Sequence, residues 1–119
     1  MKALIVEDDP TTQGLYVRTL AKLGFETFSA ISLTEARVLL DAHIFEVMLC
    51  DMRVSSEQGI DLLREQYHRL QQNHTHVIVL SAEQRFEPEI TAMGYGLFVT
   101  KPIPPSTLSR IVLRALSTP

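Results

Sequence analysis

Five side chains in this sequence are of types that, brought together, handle a phosphoryl group: Glu7, Asp8, Asp51, Ser81 and Lys101. Each stands at, or within two residues of, the end of an apolar run, the runs being 3–6, 45–50, 77–80 and 97–99. Three converging carboxylates repel one another and raise one another's pKa unless a cation is present. Oxygen ligands of this kind suit Mg²⁺, which takes one or two carboxylates and keeps several waters. Lys101 adds a mobile positive point charge, and Ser81 adds a hydroxyl. A metal, an ammonium and a hydroxyl around one carboxylate match the needs of phosphoryl transfer to Asp51. The equatorial oxygens are neutralised and hydrogen-bonded while the carboxylate attacks in line. Singly, each residue has a plainer reading. An Asp after a strand closes a turn through its own side chain, Asp9 caps a helix, Ser81 is a strand-end hydroxyl and Lys101 a solvated charge.

Positioning five such groups requires strands that end at one rim. Residues 3–6 form a continuous apolar run, read as a strand buried on both faces. Pro10 suits a first helical turn with Asp9 as N-cap, and the apolar spacing predicts a helix over 10–23, closed by Gly24. Residues 25–30 read as a second strand. Ser32 and Glu35 fit a capping box at the start of a second helix ending near Ala42. A third strand is read at 46–50 and a third helix over 59–72. The run 77–80 is the strongest strand, with three β-branched residues in four. Residues 81–87 read as irregular. Pro88 opens a short fourth helix closed by Gly94, 97–99 is a fifth strand, and a last helix runs to Leu116. Parallel strands need helical crossovers, and strands apolar on both faces need helices on both sides. The fold expected is therefore a doubly wound α/β sheet, whose ligand site lies beyond the carboxyl ends of the strands.

Composition narrows the function classes. The chain has 119 residues, 45% hydrophobic and 21% charged, as in an ordinary globular domain. It is read as one domain over 1–119, with no effector domain and no DNA-binding element. A net charge of −3 gives no basic footprint for nucleic acid. No apolar stretch approaches the roughly 18 residues of a membrane span, and acid at Glu7 comes too early for a signal peptide. The single cysteine, Cys50, is compatible with a reducing cytoplasm, where the protein is expected, and reads as a buried inert thiol. His43, His68, His74 and His76 share no metal spacing and read as surface or edge residues.

The motifs Leu4-Ile5-Val6-Glu7-Asp8-Asp9, Leu49-Cys50-Asp51-Met52, Leu80-Ser81-Ala82 and Phe98-Val99-Thr100-Lys101-Pro102, in this order and each after a strand, resemble the receiver domain of two-component response regulators. The resemblance covers nearly the whole chain. It implies a flavodoxin-like five-stranded parallel sheet in the order 2-1-3-4-5 with five helices. It also implies roles. Asp51 matches the phospho-acceptor and a metal ligand. Asp8 matches a direct Mg²⁺ ligand, Glu7 acts through water, and Arg53 lends its backbone carbonyl. Ser81 matches the hydroxyl that moves onto the phosphoryl group, Lys101 its ammonium partner, and Phe98 the aromatic whose rotamer follows phosphorylation. Pro102 follows a peptide bond that is often cis in the family. Arg53 and Glu83 match the positions that tune loss of the phosphoryl group, and they are expected to pair across the site mouth. Where the family carries Met-Pro after the acceptor, this chain has Val54-Ser55, which is expected to loosen that loop. The stretch from Ser81 to Lys101 is shorter than the family pattern, in or before the fourth helix.

Two functions from different classes follow. The first is a phosphorelay switch, not an enzyme beyond its own phosphoryl transfer and slow dephosphorylation. Its partners are a histidine kinase or phosphotransfer protein and an unidentified downstream protein, and the last two helices offer a homodimer face. Neither nucleic acid nor membrane is bound directly. The second is a phosphorylation-independent adaptor that keeps the fold without the switch. A flavin or nucleotide enzyme needs a Gly- or Ser/Thr-rich phosphate loop after the first strand, where this chain places acids.

Overall fold

Period-two alternation along buried strands sorts the side chains into two layers. In the computed structural model, which describes residues 1–117, the elements run β1 (Lys2–Val6), α1 (Pro10–Lys22), β2 (Glu26–Ala30), α2 (Leu33–Ala42), β3 (Val47–Asp51), α3 (Gly59–Gln72), β4 (His76–Ser81), α4 (Glu87–Ala92), β5 (Leu97–Thr100) and α5 (Pro105–Leu116). The five strands form one parallel sheet in the order β2-β1-β3-β4-β5. Odd residues of β1 and β3, namely Ala3, Ile5, Val47 and Leu49, pack with Ile78 and Leu80 of β4 against Tyr16 and Leu20 of α1 and Leu108 and Val112 of α5. Their neighbours Leu4, Val6, Met48, Cys50, Val77 and Val79 pack on the other face, against α2, α3 and α4 through Leu40, Leu63 and Ile90. This is the doubly wound, flavodoxin-like architecture expected, with both faces of the sheet covered.

The helix ends follow local chemistry. Asp9 accepts from the Thr12 N–H at 2.9 Å and caps α1. Gly24, with φ of +97°, takes the left-handed conformation after it. Ser32 caps α2 through the Glu35 N–H at 3.1 Å. Glu35, however, reaches past Ser32 and accepts from the Ile31 N–H at 2.8 Å. The reciprocal half of the capping box is thus displaced by one residue. Three exposed ion pairs, Arg37–Glu65, Arg69–Asp41 and Arg64–Glu89, link α2 to α3 and α3 to α4. Among the described residues no helix is long and apolar enough to cross a membrane.

In the segment 52–58, where a loop loosened by the absence of proline is expected, the chain is paired as a hairpin. Arg53–Val54 pairs antiparallel with Glu57–Gln58, and Ser55 and Ser56 make the turn with φ of +50° and +68°. Positive φ at both central residues matches the twist of a two-residue hairpin. Val54 is buried, and the Ser55 hydroxyl donates to the Ile31 carbonyl at 2.5 Å. The segment between β4 and α4, read as irregular, contains a single 3₁₀ turn at Gln84–Phe86.

Gly59 begins α3 against the backbone that carries Asp51. Its N–H donates to the Met52 carbonyl at 2.7 Å. A Cβ there would lie 2.0 Å from the Asp51 carbonyl oxygen. Backbone cannot yield as a flexible side chain does, so Gly59→Ala is expected to lose about 1–3 kcal/mol of stability, the usual cost of overpacking. Urea unfolding measures it, and an unchanged midpoint would show that the helix start is not pressed against the strand that carries Asp51.

Candidate functional site

The same alternation carries past the strand ends and divides the site. Glu7 continues the series Ala3, Ile5, and Asp51 continues Val47, Leu49, so both fall on the α1/α5 side of the sheet. Lys101 follows Leu97 and Val99, which face the same side. Its ammonium lies between the two acids, 2.7 Å from Glu7 Oε1 and 2.5 Å from Asp51 Oδ2. Glu7 and Asp51 are only 2% and 7% exposed. The other Asp51 oxygen accepts from the Arg53 N–H at 3.1 Å. Glu7 is fixed further by Gln13, whose side-chain amide donates to its carbonyl at 2.9 Å. The Lys101–Pro102 peptide bond is cis, and the Lys101 N–H donates to the Ser81 carbonyl at 2.7 Å, which ties the two strand ends together.

Asp8 and Ser81 have the opposite parity. Asp8 turns toward the hairpin, where its Oδ2 accepts from the Ser55 N–H at 2.7 Å. Ser81, 2% exposed, directs its hydroxyl to the Glu83 backbone, donating to the carbonyl at 3.1 Å and accepting from the N–H at 2.9 Å. Phe98, half-buried, packs on the α2–α4 side of the sheet. The structure therefore brings Glu7, Asp51 and Lys101 into direct contact and leaves Asp8 and Ser81 engaged beside them. The expected Arg53–Glu83 pair is not formed. Glu83 is held by Arg85 Nε at 2.6 Å, two residues along the same turn, which is a closer partner than one across the site mouth. Cys50, buried and raised in pKa by that burial, stays out of the chemistry.

Charge is unbalanced at this centre. Burial pushes the Glu7 carboxyl up to about 7; the Lys101 hydrogen bond pulls it down, and neighbouring Asp51 pushes it up again. For Lys101, burial works toward a lower pKa, but its hydrogen bonds to Asp51 and Glu7 prevail and hold it above the ordinary lysine value. One ammonium thus faces two acids, with a third close by. Among the described residues no three acidic, His or Cys side chains are grouped to hold a metal ion, because Asp8 is drawn to Ser55 and Lys101 stands between the other two. The donor chemistry nonetheless fits a hard divalent cation. The acids are carboxylate oxygens at one mouth, short of positive charge.

Ser55 is the residue that sequence reasoning missed. A Ser-Ser pair is a weak hairpin signal beside Asn-Gly or Asp-Gly. The available sign was the missing proline, whose replacement by Ser55 supplies an N–H where proline has none.

The Glu7 shift has a definite sign. In the unfolded chain its carboxyl ionises near 4.5, and in the folded protein near 7. Its contribution to stability is fully present below 4.5 and is lost as pH rises through 7. Glu7→Gln, neutral throughout, is expected to remove a fall on the order of 1–3 kcal/mol over that interval. Urea titrations in chelator from pH 4.5 to 7.5 check this; identical pH profiles for the two proteins would refute the shift.

The family model for the response regulator receiver domain matches residues 3–113. The response regulator protein PilR of Pseudomonas aeruginosa is 36% identical over 117 residues, covering 97% of this chain and 26% of PilR. The chain spans about a quarter of the length of the curated relatives it matches. Among solved structures, the chemotaxis response regulator CheY4 of Vibrio cholerae superposes with a TM-score of 0.86 at 25% identity, covering 96% of this chain and 97% of that one. The response regulator protein TrrA of Thermotoga maritima, solved in complex with Mg²⁺-BeF, gives 0.83 at 20% identity over 97% and 99% of the two chains, a likeness of fold.

Proposed function

The chain belongs to the response regulator receiver domain family, and on that premise we propose that Asp51 accepts a phosphoryl group from the phosphohistidine of a histidine kinase or phosphotransfer protein. An Asp51 oxygen bonds to phosphorus, and the phosphorus–nitrogen bond breaks with its electron pair going to the imidazole. The observation that carries this reading is the Lys101 ammonium set on the Asp51 carboxylate at 2.5 Å inside a nearly closed acidic site. Lys101 is the partner for one oxygen of the transferred group. Ser81 gives up the Glu83 backbone and turns its hydroxyl to another, and Phe98, half-buried beside it, follows the rearrangement. Asp8, Asp51 and the Arg53 backbone carbonyl would hold Mg²⁺, with Glu7 acting through water. When bound, the metal supplies the positive charge that the acids and the phosphoryl oxygens lack. TrrA, a relative in fold, was solved with Mg²⁺-BeF, which supports this choice of cation.

The acyl phosphate then biases a two-state domain toward the form its downstream partner prefers. Residues 1–119 act as one receiver domain in the cytoplasm. The surface formed by α4, β5 and α5 meets the downstream protein or a second copy. Arg53 and Glu83, no longer as a mutual pair, flank the acceptor and set the rate at which the phosphoryl group is lost. Beyond this transfer and its slow reversal by water the domain is no enzyme. A second reading, a phosphorylation-independent adaptor, is favoured by one observation: the Asp8 carboxylate is already occupied by the Ser55 N–H.

One experiment separates the two. Incubation with acetyl phosphate or beryllofluoride, with and without Mg²⁺, is expected to give a mass or spectral change in the wild type that needs the metal and is abolished in Asp51→Asn. No change in either protein would leave the adaptor reading in place.

A further inference from the structure

We propose that the 53–58 hairpin is a latch on Asp8: the Ser55 backbone N–H and a divalent cation compete for one carboxylate oxygen, so the stability of the Ser55–Ser56 turn sets the metal affinity of the domain. The inference rests on the reading of Asp8 and Asp51 as metal ligands. Asp8 Oδ2 accepts from the Ser55 N–H at 2.7 Å, a short distance typical of a charge-assisted hydrogen bond. A carboxylate oxygen has a second lone pair to offer, but the positive end of the N–H and a cation repel one another across it, so an oxygen engaged by the first is a poorer ligand for the second.

The latch is built from several anchors. Val54 is buried, and the ladder pairs Arg53 with Gln58 and Val54 with Glu57. The Ser55 hydroxyl is held on the Ile31 carbonyl at 2.5 Å, and Glu57 Oε1 accepts from the Leu33 N–H at 3.2 Å. These bonds fix the turn beside Asp8 from the β2–α2 side. Against them stands backbone strain, since Ser55 and Ser56 both hold φ near the left-handed region that side chains disfavour. The turn is thus neither free nor locked, and its sequence tunes how firmly Asp8 is engaged.

Two variants move the latch in opposite directions. Ser55→Pro removes the N–H and forbids the positive φ, so Mg²⁺ is expected to bind about tenfold tighter. Ser56→Gly relieves the positive φ at that position while keeping the Ser55 N–H and hydroxyl, and Mg²⁺ is expected to bind about threefold weaker. Calorimetric titration of the full chain with MgCl₂ gives the affinities. A ¹H–¹⁵N spectrum follows the Ser55 amide, which is expected to move upfield as Mg²⁺ displaces it from Asp8. The weakened variant cannot be explained by a failure of Ser55→Pro to fold. Unchanged affinity in Ser56→Gly, or a Ser55 amide that stays still while Mg²⁺ binds, overturns the latch and leaves the metal reading intact. A wild-type chain that takes up no Mg²⁺ overturns the metal reading and the latch with it.

Discussion

One ammonium between two buried carboxylates is the interaction on which the upper end of this molecule depends. Lys101 reaches Glu7 and Asp51 at hydrogen-bond distance in a site nearly closed to solvent. Burying two carboxylates beside a half-buried ammonium is expensive, and removing one partner leaves a charge with no compensation. The triad still has more acid than base, and the Glu7 carboxyl carries the difference as a pKa raised toward neutrality by its burial. The site is therefore held together by Lys101 while still short of positive charge. Both properties suit a centre that takes in a phosphoryl group and a cation.

The triad is a product of strand register. Adjacent pairing places Val6 beside Cys50 and Asp51 beside Leu80, so each strand reaches the rim together with its neighbour. Parity then decides company. Glu7, Asp51 and Lys101 share the face covered by α1 and α5, whereas Asp8, Ser81 and Phe98 belong with α2, α3 and α4. A shift of one residue in any strand would exchange these groups. The continuous apolar core below the rim keeps that from happening.

Much of this was legible in the sequence because apolar runs and caps are local signals. The strand at 77–80, the helix over 59–72 and the Asp9 cap came from residue type and spacing alone, and the structure places them there with shifts of a residue or so. The rim residues were legible because each ends a run. Their division between two faces is implicit in the same periodicity. What escaped was decided by competition among nearby partners. Glu83 found Arg85 within its own turn in place of Arg53, and Glu35 found the N–H of Ile31 in place of that of Ser32. The hairpin at 53–58 escaped because serines in a left-handed turn carry no strong local preference, and its anchors at Ile31 and Leu33 lie far back in the chain.

The sheet has a consequence for how any change at Asp51 spreads. Below the rim its strands are paired side by side and both faces are densely packed, so the sheet acts as a wall between two compartments. Asp51 opens on one of them, while the hydroxyl of Ser81 and the ring of Phe98 belong to the other. Two bonds cross the top of the wall, the backbone bond from Lys101 to Ser81 and the one from the Arg53 N–H to Asp51. The first crossing ties together the ends of β4 and β5, and the second leads from Asp51 into the hairpin whose Val54 packs in the other layer.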